Sequence, residues 1–332
     1  MNAISQVDAS FNESEVDNGQ LATNSKINKS RSTGSSSAWP NIMFGAGMAA
    51  YLSLPPMMRY VLALLILCIN LPAHSLTFSS PPRESKAVGD ELYQPLAQYL
   101  SMVLGEEVSY EHPTNWLHYQ RSIKRDEFDI VFDGPHLASW RIKHHGHTPI
   151  MMLPGNLVFY FITRNENTNV NQLLDLAVKK VCVLPPPNLN ALILLEILDG
   201  PAREPVVKGI KGGLKNVIKS LMADECEGAV VPAGFYNKKL PEKQQNQLRI
   251  IHQSAPLPNQ VITVSKRLSS QQVQQIRKAF STDEGLRIIN KFGKRFGGDF
   301  IPAEAKAYDG PSRLLENSIL GWQGKSDSTV ED

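Results

Sequence analysis

The stretch Phe128-Asp129-Ile130-Val131-Phe132-Asp133-Gly134-Pro135-His136 decides how the chain is read. Ile130, Val131 and Phe132 form a short run of β-branched and aromatic residues, the composition of a strand buried on both faces. Gly134 and Pro135 end that strand abruptly. Asp133 and His136 therefore fall just past its carboxyl end, the edge at which open parallel sheets bind their ligands. Two readings are open for Asp133. It caps the helix that begins near Leu137, or it meets a ligand. His136 is either an ordinary loop residue or a ligand contact.

Outward from this centre, strands and helices alternate. Residues 76–80 read as a first strand, stopped by Pro81-Pro82. Leu92, Leu96, Tyr99, Leu100 and Val103 recur at helical spacing, with Pro95 expected early in that helix, where proline is tolerated, and Gly105 as its C-cap. Val108-Ser109-Tyr110 is a second strand, and Trp116, Tyr119, Ile123 and Phe128 suggest a helix leading into the central one. The order β-α-β-α-β implies a parallel sheet covered on both faces. Residues 157–163 form a long apolar strand able to pass from one domain to the next, and residues 261–264 could cross back. Between them, further strands are expected at 180–184, 206–209, 228–231 and 248–251. Asn188-Leu189-Asn190 precedes a helix, where asparagine caps well and exposed amides attract anions. Helices are expected at 271–280 and 284–292, and the tail beyond Pro311 is expected to be loose.

The termini read differently from the middle. Residues 1–38 are rich in Ser, Asn, Asp and Gln without apolar periodicity, a disordered composition. Met57-Met58-Arg59, an apolar run of about twelve residues from Tyr60 to Leu71, and Pro72-Ala73-His74-Ser75 make a secretory signal pattern, with Ala73-x-Ser75 as the cleavage site. The apolar run is short against the roughly 20 residues of a membrane span. Its depth in the chain fits a true start at Met57 or Met58; the other reading is an uncleaved anchor.

Composition narrows the function classes. The 332 residues are 42% hydrophobic and 20% charged with a net charge of +2, enough for two ordinary domains and without the basic runs of a nucleic-acid binder. Three cysteines with no CxxC argue against a thiolate zinc site. His144-His145-Gly146-His147 invites a metal, but the spacing suits no single helical face, and a solvated helix end is the favoured reading. Cys182 and Cys226 remain after signal removal; they pair or stay free, since sequence does not give their geometry. GxSxG, HExxH and P-loop motifs are missing, so no catalytic residue, metal or cofactor is expected.

The order of these segments resembles the phosphate/phosphite/phosphonate-type substrate-binding proteins of ABC importers. The resemblance runs through Leu76-Thr77-Phe78, Tyr93-Gln94-Pro95-Leu96-Ala97-Gln98-Tyr99-Leu100, Phe128 to Pro135, and Ala255-Pro256-Leu257-Pro258-Asn259. It implies the two-lobed type 2 periplasmic-binding-protein fold. Each lobe would be a mainly parallel sheet flanked by helices, with two crossover strands as hinge and the ligand clamped between the lobes. The expected division is residues 1–56 as an extension, 57–75 as signal peptide, 76–160 with 262–310 as the first lobe, 161–261 as the second, and 311–332 as the tail.

Carried over residue by residue, the family pattern changes at the ligand. Trp116 stands where phosphonate binders place a ligand-contacting Tyr, and Asp133 where they carry another cleft aromatic. Pro187-Asn188-Leu189-Asn190 replaces a hydroxyl-bearing phosphate cradle. Phe235 and Gln260 fall near the positions of the acids that hold an aminophosphonate's amino group. The expected ligand residues are Trp116, Asp133, Gly134, His136, Arg83, Arg141, Asn188, Asn190 and Gln260. A dianion beside Asp133 would need Arg83, Arg141 or His136 to offset it, and a cationic or hydrogen-bonding ligand would also suit Trp116, Asp133 and His136. The resemblance thus implies a monomeric periplasmic protein that binds a small polar or oxyanionic ligand. It would hand that ligand to an ABC permease, and touch the membrane only through a signal segment or anchor. The alternatives are a ligand sensor acting on a membrane partner and, third, an enzyme using Asp133 and His136 as an acid–base pair.

Overall fold

The computed structural model describes residues 75–319 and 321–323, together with Pro55. The extension and the signal segment, expected at 1–56 and 57–75, lie outside the described residues except for Pro55 and Ser75. No described helix is long and apolar enough to cross a membrane.

Thirteen strands and ten α-helices alternate along the described chain. In order they are β1 (Leu76–Ser79), α1 (Lys86–Leu104), β2 (Val108–Glu111), α2 (Trp116–Lys124), β3 (Ile130–Asp133), α3 (Pro135–His145), β4 (Thr148–Met152), β5 (Asn156–Leu157) and β6 (Phe159–Arg164). Then follow β7 (Lys180–Val183), α4 (Leu189–Ile197), β8 (Val206–Gly209), α5 (Leu214–Met222), β9 (Gly228–Pro232), α6 (Ala233–Lys238), α7 (Glu242–Gln245) and β10 (Leu248–Gln253). The chain closes with β11 (Leu257–Pro258), β12 (Val261–Val264), α8 (Ser270–Ala279), α9 (Asp283–Arg295), β13 (Ile301–Pro302) and α10 (Arg313–Ser318).

The strands build two sheets and a short ribbon. One sheet has the order β13-β4-β12-β3-β1-β2, the other β10-β6-β9-β7-β8, and β5 pairs with β11. Both sheets are mixed, where mainly parallel ones were expected. β2, β1 and β3 run parallel, as do β8, β7 and β9. Into each parallel set one strand is inserted the other way. β12 is antiparallel to β3 and β4, and β6 is antiparallel to β9 and β10. The cause is the route of the chain. β6 and β12 are the strands that arrive from the opposite sheet. They enter at the edge where the parallel strands end, and so run against them. The crossings themselves are shorter than expected and lie just before these strands, paired where Leu157 faces Leu257 and Asn156 faces Pro258.

Burial follows the apolar pattern. Phe78, Tyr93, Leu96, Leu100, Ile130 and Phe132 pack with the α9 residues Ile289 and Phe292 on one sheet. Cys182, Val217, Leu221, Ala229 and Val231 do so on the other. α1 begins six residues before Leu92, so Pro95 sits in the helix interior and not at its start; Gly105 ends it at φ 71°, a left-handed cap that glycine takes without strain. Cys182 and Cys226 form a disulfide across a Cα–Cα distance of 5.7 Å, tying β7 to the turn before β9.

Of the tail expected to be loose, the described residues 311–319 and 321–323 are packed. Leu314, Leu315 and Trp322 are buried in a cluster with residues of α3 and α4. Trp140 Nε1 donates to Trp322 O at 2.9 Å, and Ser312 N donates to Ser139 Oγ at 2.9 Å. Arg313 pairs with Glu196 of α4 at 2.6 Å, and Lys143 of α3 with Glu316 at 2.9 Å. The histidine run is engaged as well. His144 Nε2 meets Glu316 Oε1 at 2.7 Å. His147 is 3% exposed with Nε2 2.8 Å from Asp126 Oδ1. Among the described residues no group of three His, Cys, Asp or Glu side chains is arranged to hold a metal ion.

Candidate functional site

Five of the six βα turns at the carboxyl ends of the parallel strands place a helix start at one cavity. Its wall includes Trp116, the first residue of α2, and Gly134 to Leu137 at the start of α3. It also includes Asn188 to Asn190 at the start of α4, Leu214 at the start of α5, and Pro232 just before α6. The helices come from both sheets, so the cavity lies between the two halves. Its volume is about 50 Å³. A water needs roughly 10–15 Å³ by the same measure, so the space holds a few small groups.

The first four N–H groups of a helix have no partner within it, and the aligned peptides make that end positive. α3 and α4 have eleven and nine residues, long enough to show the effect. Arg83 adds a full charge. It lies in the turn between β1 and α1, where its Nη1 donates to Gln260 Oε1 at 2.6 Å. Among the described residues, the cavity wall carries no Asp, Glu or Lys side chain. Leu157, Phe159, Leu184 and Leu214 make much of the remaining wall apolar.

Seven of the nine expected ligand residues meet here: Arg83, Trp116, Gly134, His136, Asn188, Asn190 and Gln260. Trp116 is half-buried and packs edge-on against Tyr119 at 6.2 Å. Asn188 stands at the N-cap position of α4, but its Nδ2 donates back to Pro185 O at 2.7 Å and its side chain does not cap. Asn190 is committed to the fold, with Nδ2 donating to Val230 O at 3.0 Å and Oδ1 accepting from Ala191 N.

Asp133 and Arg141 are the exceptions. Neither lines the cavity, and both are buried. Arg141 holds Asp133 with two nitrogens, at 2.6 and 3.0 Å, and Tyr119 Oη donates to the same carboxylate at 2.5 Å. Asp133 therefore neither caps α3 nor lines the cavity. Its negative charge is spent on Arg141, two helical turns along α3, and a carboxylate so buried survives only when paired in this way. Asp133 and His136, the expected acid–base pair, share no hydrogen bond. Tyr119, three residues after Trp116 on α2, is the partner sequence reasoning missed; burial and then Asp133 push its hydroxyl pKa well above 10.

His136 is 5% exposed. Its Nε2 lies 3.0 Å from Pro187 O, a bond from one half to the other. Burial lowers its pKa to about 4, with Arg83 and Arg141 acting in the same direction and Asp133 and the Pro187 carbonyl opposing. The ring is thus neutral near pH 7. A carbonyl can only accept, so Nε2 carries the hydrogen and Nδ1 the bare lone pair. That Nδ1 is buried and has no hydrogen-bond partner.

Two α/β halves, each with crossing strands inserted into a parallel set and helix starts turned on a shared cavity, define a two-lobed ligand-binding protein. The family model of the ABC transporter phosphonate periplasmic substrate-binding proteins matches residues 78–308, and the chain belongs to that family. Its members bind a small ligand in the periplasm for delivery to an ABC transporter permease. Comparison with curated proteins finds no match.

Solved structures share the fold at low identity. A Xanthomonas citri protein bound to ATP has a TM-score of 0.60 at 14% identity, covering 74% of this chain and 99% of that one. PhnD1 of Prochlorococcus marinus in complex with methylphosphonate has 0.54 at 14%, covering 73% and 97%. A binding protein component of an ABC phosphonate transporter from Pseudomonas aeruginosa has 0.51 at 13%, covering 74% and 86%. The shared architecture is that of type 2 periplasmic binding proteins.

Proposed function

We propose that the protein captures a small oxyanion between its two halves and delivers it to the permease of an ABC importer, without chemical turnover. The single observation that carries this reading is the charge of the cavity: among the described residues, its wall has one guanidinium and several helix starts and no carboxylate. The pairing of Asp133 with Arg141 supports it further, because the acid that would have repelled an anion is neutralised outside the cavity. A cationic ligand finds no counter-ion there, which sets aside the polyamine and aminophosphonate type of recognition. The match to the phosphonate family and the methylphosphonate held by the Prochlorococcus protein favour a phosphorus oxyanion within this class.

In this reading the units that close on the ligand are residues 76–160 with 262–310 on one side and 161–261 on the other. They move about the paired crossings at Leu157 and Leu257. The protein acts as a monomer, reaches the periplasm by the signal segment at 57–75, and needs no cofactor. A thermal-shift and calorimetric panel tests the reading with phosphate, phosphite, methylphosphonate, sulfate, arginine and spermidine. An oxyanion present at 100 times its dissociation constant adds about 2.7 kcal/mol of stability. Stabilisation by arginine or spermidine and by none of the anions would overturn it.

A further inference from the structure

The helix starts and Arg83 explain how a negative charge is held, but they leave one buried group unexplained. His136 lines the same cavity, and its Nδ1 is shielded from water and has no partner. Its neighbours fix its state. Nε2 is spent on Pro187 O, and Asp133, whose charge would favour an imidazolium, is itself held by Arg141 and Tyr119. The remaining charges facing the ring, Arg83 and Arg141, are positive and disfavour a second proton on it. Gly134 keeps the Nδ1 edge open: a Cβ there would stand 3.0 Å from His136 Cε1 and 3.1 Å from Nδ1. A buried acceptor without a donor is costly, so a ligand that fills the cavity has to supply one.

We propose that His136 Nδ1 selects the protonated form of the ligand, so that the cavity takes an oxyanion with one negative charge and one O–H donor. This rests on the oxyanion reading above and narrows it. Hydrogen phosphite and the monoanions of phosphonic acids carry both features near neutral pH. Fully ionised phosphonates, sulfate and sulfonates carry the charge without the donor, and in their complexes a lone pair of the anion faces the lone pair of Nδ1. No proton moves: the hydrogen stays on the ligand oxygen and is shared with Nδ1.

Calorimetry of the mature protein with methylphosphonate and methanesulfonate, from pH 6 to 8.5, tests this. The two ligands are matched in shape, but only the first has a hydroxyl to lose in that range. The expected result is methylphosphonate binding that weakens as pH rises through the ligand's own second ionisation, with methanesulfonate roughly 10- to 100-fold weaker at pH 6 and flat with pH. His136→Leu removes the Nδ1 acceptor together with the bond to Pro187 O; it should erase the difference between the two ligands. Gly134→Ala, which crowds the acceptor edge without touching the bond to Pro187, should weaken methylphosphonate more than methanesulfonate. Equal binding of the two ligands at pH 6 would overturn the proposal and leave the oxyanion site intact. So would sulfonate binding that tightens with acid, because that result makes His136 a protonated donor. Failure of both anions to bind would overturn the oxyanion reading and this proposal together.

Discussion

Arg141 and Asp133 form a two-pronged ion pair, Nη1 to Oδ2 at 2.6 Å and Nη2 to Oδ1 at 3.0 Å, with side chains 1% and 0% exposed. Arg141 Nη2 reaches on to Thr263 Oγ1 of β12 at 2.8 Å, so the pair also pins the returning strand to α3. Asp133→Asn leaves a buried guanidinium without its counter-ion, a loss of about 3–5 kcal/mol. Chemical denaturation of the ligand-free variant checks this. An unchanged midpoint, with altered ligand affinity, would put Asp133 back at the ligand.

Trp116 behaves in the opposite way. It is half-buried on the cavity wall and touches the core through the edge of Tyr119. Trp116→Ala is expected to lower affinity for the bound anion by roughly 10- to 100-fold and apo stability by about 1 kcal/mol or less. Calorimetry and a melting curve on the same sample separate the two effects.

Acid should unfold the protein early. Burial lowers the pKa of both His136 and His147 to about 4. The unfolded chain takes up these protons from about pH 6.5 downward while the folded chain does not, so the stabilisation is complete above that pH and is lost as pH falls toward 4. Each histidine contributes a slope of about 1.4 kcal/mol per pH unit in that window. Urea midpoints between pH 4.5 and 7 measure the sum, and the slope should fall by about half in His136→Gln.

The Cys182–Cys226 bridge closes a loop with a sequence separation of 44 residues. Chain entropy puts its contribution at about 4 kcal/mol. The double variant Cys182→Ser, Cys226→Ser should melt well below the oxidised protein and match the wild type kept in reductant. Such a bond forms in an oxidising compartment, in keeping with the periplasmic location of the family.

Removal of residues 311–332 should destabilise the protein by on the order of 5 kcal/mol, since Leu314, Leu315 and Trp322 all leave the core. Denaturant midpoints of the truncated and full chains give the difference directly.

The sequence made the site legible wherever a strand end coincided with a turn signal. Ile130 to Phe132 followed by Gly134-Pro135 located the cavity from one side, and Val183 followed by Pro185-Pro186-Pro187 located it from the other. Seven of the residues that line the cavity followed from those two edges and the family pattern. Asp133 and Arg141 were misplaced because alternation gives the position of a side chain along a strand but not its partner. An Arg eight residues away is on the same helix as the turn, and only the folded pair shows that it turns inward. The direction of β6 and β12 was hidden for a related reason. Apolar runs look alike whichever way a strand enters its sheet. The tail was missed because Leu314, Leu315 and Trp322 are too few to set up a helical period, although each is fully covered.

That tail adds a third tie between the two halves. α10 is held by Lys143 of α3 on one side and by Glu196 of α4 on the other, outside the two crossings. If the halves part about the crossings as proposed, α10 would have to leave one of these helices, so the tail would act as a latch on a motion that the two crossings alone would leave free.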